Sequence, residues 1–453
     1  MVYFGSSGRG NFPRKRRCNL RKPFYGWIIV GVSFLIGMTE AGVFQNILSI
    51  FMKPMVHEFG WSRASVTGAM AFGTASGGLI SLVFGPILDR HGPRMVAFWG
   101  IFLLSVGLAA MAFISDLWQL YLFFGVGRMI AVGVLGLAIA VSVSSWFFRL
   151  RGRAMGITRI GDRFGSTLLP LMVQPLILML GWRTAWGILG GVVFLMSGIP
   201  SLLFLRRRPE DMGLLPDGAS PATGKISSDD PPKKKERVST YDDHSEPVWS
   251  RAQAIRTKTF WMLVFLEGLI NFVQAGINFH IYPFLTDQGF SEMTAVLILS
   301  TVSVFGMVGS AIWGLLTERL HIQRLLTVNV LGNGLVFLSL YWAVGFRPDD
   351  LLGIGLIFFL AALHGTLHGG RNPMITLAWA NFFGHRSLGS ILSLSYLFHT
   401  AANALGPVFA AFCFDLFGSY TFPFHLFVAL LLPSGLITMH IQPPRHPSRA
   451  PIQ

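Results

Sequence analysis

Charge is the first thing this chain lacks. Only 13% of its 453 residues are Asp, Glu, Lys or Arg, about half the share of an ordinary soluble protein. A globule could not hide 52% hydrophobic residues, 40 Phe among them, behind so little charge, because most of its exterior must tolerate water. Water-soluble folds are excluded. Cysteine is scarcer still. Cys18 and Cys413 are the whole complement; one falls on a polar tail and the other in an apolar segment, so no structural disulfide is expected. Enzyme signatures are missing too. The chain has no nucleotide-binding glycine loop, no nucleophile elbow and no H-E-x-x-H. Nothing implies a cofactor, and energy is expected from ion or substrate gradients without ATP.

Long apolar runs are what the chain does have. A helix needs about 20 mostly apolar residues to cross a bilayer, and twelve such segments are expected. In the first half they run over 26–51, 64–87, 95–115, 118–147, 154–180 and 184–205. In the second they run over 258–285, 293–316, 325–345, 351–381, 388–414 and 420–441. The expected fold is an all-α membrane protein with two blocks of six helices, 26–205 and 258–441. A basic tail (1–25), a polar linker (206–257) and a short end (442–453) complete the chain. The linker contains PPKKKER and is too polar to fold alone, although 248–256 has the makings of a short surface helix.

Bases outnumber acids 36 to 21, for a formal net charge of +15, and their placement gives a topology. Arg14, Lys15, Arg16, Arg17, Arg21 and Lys22 precede the first helix. Arg149, Arg151 and Arg153 follow the fourth, Arg206, Arg207 and Arg208 the sixth, and Arg386 the tenth. The opposite loops hold only Lys53, Arg63, Arg183 and Arg347. The positive-inside rule puts both termini and the linker in the cytoplasm of a cell-membrane protein. Helices flank nearly every basic cluster, so the charge is a topology signal and no nucleic-acid partner is expected.

A repeat runs through the two blocks. FGPILDRHGPR (84–94) follows the second helix, and WGLLTERLHIQR (313–324) follows the eighth. Gly85, Asp89 and Arg90 match Gly314, Glu318 and Arg319. RGRAMG (151–156) and HRSLGS (385–390) likewise open the fifth helix of each block. Internal repeats in a twelve-helix chain mark secondary transporters, with substrate bound near the midplane between halves.

Gly85-x3-Asp89-Arg90-x-Gly92-x-Arg94 resembles the loop motif of the major facilitator superfamily. KPFYGWIIV, IFMKPMVHEFGWSRA, RPEDMGLLPDG, HIYPFLTDQGFSEMTA and FFGHRSLGSILSL resemble its monocarboxylate transporter branch, especially bacterial members related to oxalate/formate antiporters. The resemblance implies alternating access and a small organic anion, with a proton or counter-anion as second partner. It also implies that Gly85, Asp89, Arg90, Arg94, Glu318 and Arg319 fasten helix ends on the cytoplasmic side in the outward-facing state. A broad drug or metabolite exporter, or a transporter-like receptor that moves nothing, are the rival functions.

Ionisable residues inside a membrane cost about 2.5–3.5 kcal/mol each on insertion scales and are functional candidates by default. Here they are Glu40, Arg128, Arg159, Asp162, Arg163, Glu267 and Arg371. Four arginines against three acids favour an anionic substrate, because arginine's fork can grip a carboxylate at two points. Arg371, in the glycine-rich LHGGRNPMI, is the first candidate for that contact, or else a structural ion pair. Arg128, in GVGRMIAVG, resembles the superfamily's fourth-helix arginine, which implies a substrate-facing place in the cavity or a part in proton linkage, or else a structural pairing. Arg159 and Asp162 lie three apart and can pair with each other. Arg163 is left as a second anion contact or as a partner for Glu40 or Glu267. Relatives carry small residues at these fifth-helix positions and an arginine in the eighth helix, which TVSVFGMVGSAIWG lacks. Glu40, Glu267 and His280 are the proton-coupling candidates. Asn278 and His399, with Asn46, Gln274 and Asn403, are polar residues for the path or for helix contacts. His364 and His368 have metal-compatible spacing but no third ligand, so no metal is expected.

Overall fold

The computed structural model describes residues 24–43, 45–148, 150–215, 217, 249–317, 319–345, 351–384 and 388–444. Most of the expected linker, the basic tail and the Asp89 and Glu318 side chains lie outside the described residues. Among the described residues, twelve helices are long and apolar enough to cross a membrane. The first six are α1 (Gly26–Phe59), α2 (Arg63–His91), α3 (Pro93–Phe113), α4 (Leu117–Trp146), α5 (Arg151–Leu180) and α6 (Trp182–Phe204). The second six are α7 (Lys258–Asp287), α8 (Glu292–Thr317), α9 (Ile322–Ala343), α10 (Leu351–Phe383), α11 (Leu388–Phe417) and α12 (Thr421–His440). No strand occurs among the described residues. Before α7, a one-turn helix (Arg251–Ile255) is capped by Ser250, and Trp249 beside it packs on Phe383 at 5.5 Å.

Turn chemistry sets where the helices begin and end. Ser62 Oγ accepts the Ser65 N–H at 3.0 Å to start α2, and Thr257 Oγ1 accepts the Phe260 N–H to start α7. Gly92 (φ 78°) and Gly181 (φ 82°) make one-residue reversals between α2 and α3 and between α5 and α6. A side chain would strain both positions. The first helix runs eight residues past its expected end at 51. Lys53 does not stop it, because its ammonium finds Asp287 of α7 at 2.6 Å.

Lipid gives helices no hydrophobic reason to associate, so small residues that admit close backbone contact carry the packing. Glycines do this in the same way in both halves. A β-carbon at Gly161 or Gly165 of α5 would strike carbonyls of α1, and one at Gly406 of α11 would strike the Phe272 carbonyl of α7. Gly73 and Gly133 hold α2 against α4, as Gly365 and Gly369 hold α10 against α8. The repeat is therefore physical as well as sequential. Large side chains fill the interior of each half, such as Phe51 stacked on Trp186 at 3.9 Å. Leu82, Phe113, Leu315 and Leu352 point outward, as residues facing acyl chains should.

Twelve crossings put both described ends on one face, here the terminal face; the other is the distal face. The halves meet along α2 and α11, α5 and α8, and the outer part of α1 with α7. Between described residues, every hydrogen bond and ion pair joining the halves lies between the distal ends and the helix middles. The molecule is closed on its distal face.

Candidate functional site

Helix α1 breaks at mid-membrane, and two charges gather there. A 3-10 turn (Ala41–Val43) follows Glu40, freeing a carbonyl that Arg128 of α4 takes: Nη1 donates to the Val43 oxygen at 3.2 Å and Nε to Thr74 Oγ1 at 3.2 Å. Arg128 sits on one α-helical turn between two π-helical turns, Tyr121–Gly125 and Ala131–Leu135. Wider turns of this kind re-aim a side chain and recur at functional sites. Gly73 leaves the room that Arg128 fills. Arg128 thus braces the broken helix. Glu40 is buried, and its Oε1 accepts no hydrogen bond among the described residues. The charges around it are Asp162, Arg159 and Arg128. Arg159 pairs with Asp162 at 3.2 Å as their spacing requires, and Asp162 lies against Gly37 of α1.

In the second half, α7 and α10 face each other through an antiparallel polar ladder. Trp379 Nε1 donates to Glu267 Oε2 at 3.2 Å. Arg371 Nη2 donates to Asn271 Oδ1 at 3.0 Å. His368 Nδ1 meets Gln274 Oε1 at 3.1 Å, and His364 Nε2 meets Asn278 Oδ1 at 3.4 Å. Positions 267, 271, 274 and 278 share one face of α7, and 364, 368 and 371 one face of α10, because four- and three-residue steps follow the helical turn. Glu267 Oε2 also accepts from Ser395 Oγ at 2.7 Å. Arg371 is buried with Glu267 as its nearest opposite charge. His399, stacked on Tyr396 at 5.6 Å, has Arg371 as its charged neighbour, and its Nδ1 is buried without a hydrogen bond among the described residues.

Arg163 reaches this group from the other half. Its Nη1 would lie 3.4 Å from a β-carbon at Gly306 of α8. Gly306 in turn touches Gly369 of α10, next to His368. The Arg163 guanidinium has neither an ion pair nor a hydrogen bond among the described residues. The pairing considered for it with Glu40 or Glu267 does not form. Among the described residues the opposite charge acting on it is Asp162, which Arg159 already holds. A guanidinium therefore stands in the eighth helix's space although that helix has no arginine of its own.

The distal closure uses residues that the sequence reading had treated only as sparse loop charges. Arg63 of α2 grips Asp287 of α7 with Nη1 at 2.7 Å and Nη2 at 3.2 Å, and Nη1 also donates to the Tyr420 hydroxyl at 2.7 Å. Asp415 of α11 accepts the backbone N–H groups of Arg63 and Ala64 at 3.0 and 2.8 Å, so one half caps a helix of the other. Arg63 also lies over the Phe414 ring at 3.6 Å. His280 belongs here: its Nδ1 contacts Tyr420 Oη and its Nε2 the Pro407 carbonyl, each at 2.9 Å. Both of its nitrogens are engaged, so it braces the closure and does not line the middle of the path. The missed signal was positional, since two acids end α7 and α11 opposite two bases of α1 and α2. On the terminal face, Arg94 Nε donates to the Leu202 carbonyl of its own half at 2.8 Å, while Arg90 and Arg319 are exposed.

The arrangement resembles known proteins. The sequence profile of the Major Facilitator Superfamily matches residues 29–359. Human monocarboxylate transporter 2 is 27% identical over 416 residues, covering 88% of this chain and 81% of that protein. Bovine monocarboxylate transporter 1 is 23% identical over 443 residues, covering 91% and 83%. A solved structure of a bacterial homolog of the human lysosomal transporter Spinster, in an inward-facing and occupied conformation, superposes with TM-score 0.68 at 15% identity over 93% of this chain and 97% of that one.

Proposed function

Because the chain belongs to the major facilitator superfamily, we propose that it carries a small organic anion, first of all a monocarboxylate, across a cell membrane by alternating access coupled to a proton. The coarse part of this reading is secure: the chain is a multi-pass membrane transporter and not an enzyme. The carrying observation for the anion is Arg163, whose guanidinium crosses from the first half to Gly306 with no acid paired to it among the described residues. A permanent cation in a membrane interior is stable only with an opposite charge. A carboxylate between Arg163 and Arg371 would supply one and would bridge the two halves. The names of the relatives agree with this reading. His399, beside Arg371, and Asn278, bonded to His364, would border the same space, and Arg128 would support it through its bond to Val43 at the α1 break.

For the proton, Glu40 is the strongest of the sequence candidates. Glu267 and His280 are fixed by hydrogen bonds, while Glu40 Oε1 has none. With both termini cytoplasmic, the closed distal face is external and this conformation faces inward. Gly85, Asp89, Arg90, Arg94, Glu318 and Arg319 would fasten the terminal face in the opposite state.

The test compares a carboxylate with its amide on folded protein. Arg163→Gln should weaken carboxylate binding roughly ten- to hundredfold, since a charge-assisted hydrogen bond contributes about 1.5–3 kcal/mol. Amide binding should barely change. Arg163→Lys should lie between, having the charge without the fork. Wild-type carboxylate affinity in Arg163→Gln would end the assignment.

A further inference from the structure

The second rung of histidine on the ladder offers a site for the proton that none of the earlier candidates provides. Gln274 Nε2 donates to Asn333 Oδ1 at 2.8 Å, which turns Gln274 Oε1 towards His368. An amide oxygen only accepts, so His368 Nδ1 carries the hydrogen of their 3.1 Å bond. In the neutral ring Nε2 then holds a lone pair. That atom has no hydrogen bond among the described residues, and His368 keeps part of its surface exposed. The ring is thus fixed in one tautomer with its basic nitrogen open.

Its surroundings are cationic. The charged and titratable groups acting on His368 are Arg371 and His364 on its own helix and Arg163 from α5. Among the described residues its hydrogen-bond partner on α7 is the neutral Gln274, which in turn donates to the neutral Asn333 of α9. Glu267 faces Arg371, and Glu40 is not among the neighbours of His368. A third positive charge between two guanidiniums is opposed by both, and a carboxylate placed among them removes that opposition.

Resting on the anion reading above, we propose that His368 Nε2 takes up one proton whenever a carboxylate occupies the space between Arg163 and Arg371. The proton comes from water on the open face. The imidazolium then donates through Nε2 to the carboxylate and through Nδ1 to Gln274, so both donors of the charged ring are used. Each partner makes the other bind better, and the linkage is reciprocal. This couples proton to anion at a single place, with no long-range relay. Sequence reasoning had considered His368 only as half of a metal pair.

The experiment is titration calorimetry on purified full-length protein in two buffers of different ionisation enthalpy. The probes are acetate, lactate, benzoate and succinate, and the tightest binder is carried forward. Wild type should take up close to one proton per anion, and its affinity should fall as pH rises, by up to about tenfold per unit. His368→Gln should bind the anion more weakly with a proton count near zero and a flat pH profile. Binding by His368→Gln with the wild-type count would overturn the assignment and leave the anion reading standing. If the variant does not fold, wild type decides, since a count near zero there is equally fatal. Failure of all four probes to bind would remove the anion reading, and this inference with it.

Discussion

The distal ends and the membrane centre treat charge in opposite ways. At the distal ends Lys53, Arg63, Asp287 and Asp415 satisfy one another across the halves at 2.6 to 3.2 Å. At the centre Glu40, Arg163 and His368 each keep a side-chain atom with no hydrogen bond among the described residues. The difference follows from what each region does. A closure has to hold one state, so its groups pair. A binding site has to pair with something that arrives and leaves, so its groups stay open until then. Buried charge left open is costly, and that cost is what a ligand of opposite sign relieves.

The largest effect should come from closing the centre. Arg163→Glu puts an acid where the anion would sit, and carboxylate binding should fall below detection in calorimetry while the melting temperature stays near that of wild type. A large loss of thermal stability with unchanged affinity would instead make Arg163 structural. Opening the distal face comes next. Asp287→Asn takes the charge partner from both Lys53 and Arg63, and spin-label distances between the distal ends of α2 and α11 should lengthen, with transport reduced about tenfold. A distance distribution like that of wild type would deny Asp287 its part in the closure.

Asp415→Ala should act more gently, because it removes only a cap on the first turn of α2. Such caps contribute about 1 kcal/mol, so the same labels should show a severalfold shift towards the open form. Smallest of all should be Thr74→Val, which leaves Arg128 its bond to Val43 and loses one of about 0.5–1.5 kcal/mol. Thermal unfolding should record that loss with no change in anion affinity. A marked affinity change would move Arg128 from bracing α1 into the site itself.

The helices were legible because length and hydropathy are local properties of the chain. The far end of α1 departs most from its expected bound, since Lys53 reads as an exit signal until Asp287, more than two hundred residues later, is seen beside it. The pairing of Arg159 with Asp162 was legible for the same reason, being set within one helical turn. Partners between helices were not. Nothing in the sequence says that Arg371 meets Asn271 or that Gln274 orients His368, although the four- and three-residue steps on α7 and α10 were there to be matched in antiparallel register. Arg371, first choice from its glycine-rich setting, donates to Asn271, while the Arg163 guanidinium makes no hydrogen bond among the described residues. His280 showed its type but not its address in the closure.

Uptake into liposomes reaches furthest. Purified protein, reconstituted with a radiolabelled carboxylate outside and an inward proton gradient, should accumulate the label above its external concentration. Dissipating the gradient should abolish the accumulation, and Arg163→Gln should reduce it to the rate of empty liposomes. Equal accumulation by Arg163→Gln and wild type, or none by wild type for any of the four probe acids, would contradict a proton-coupled anion carrier built around that arginine.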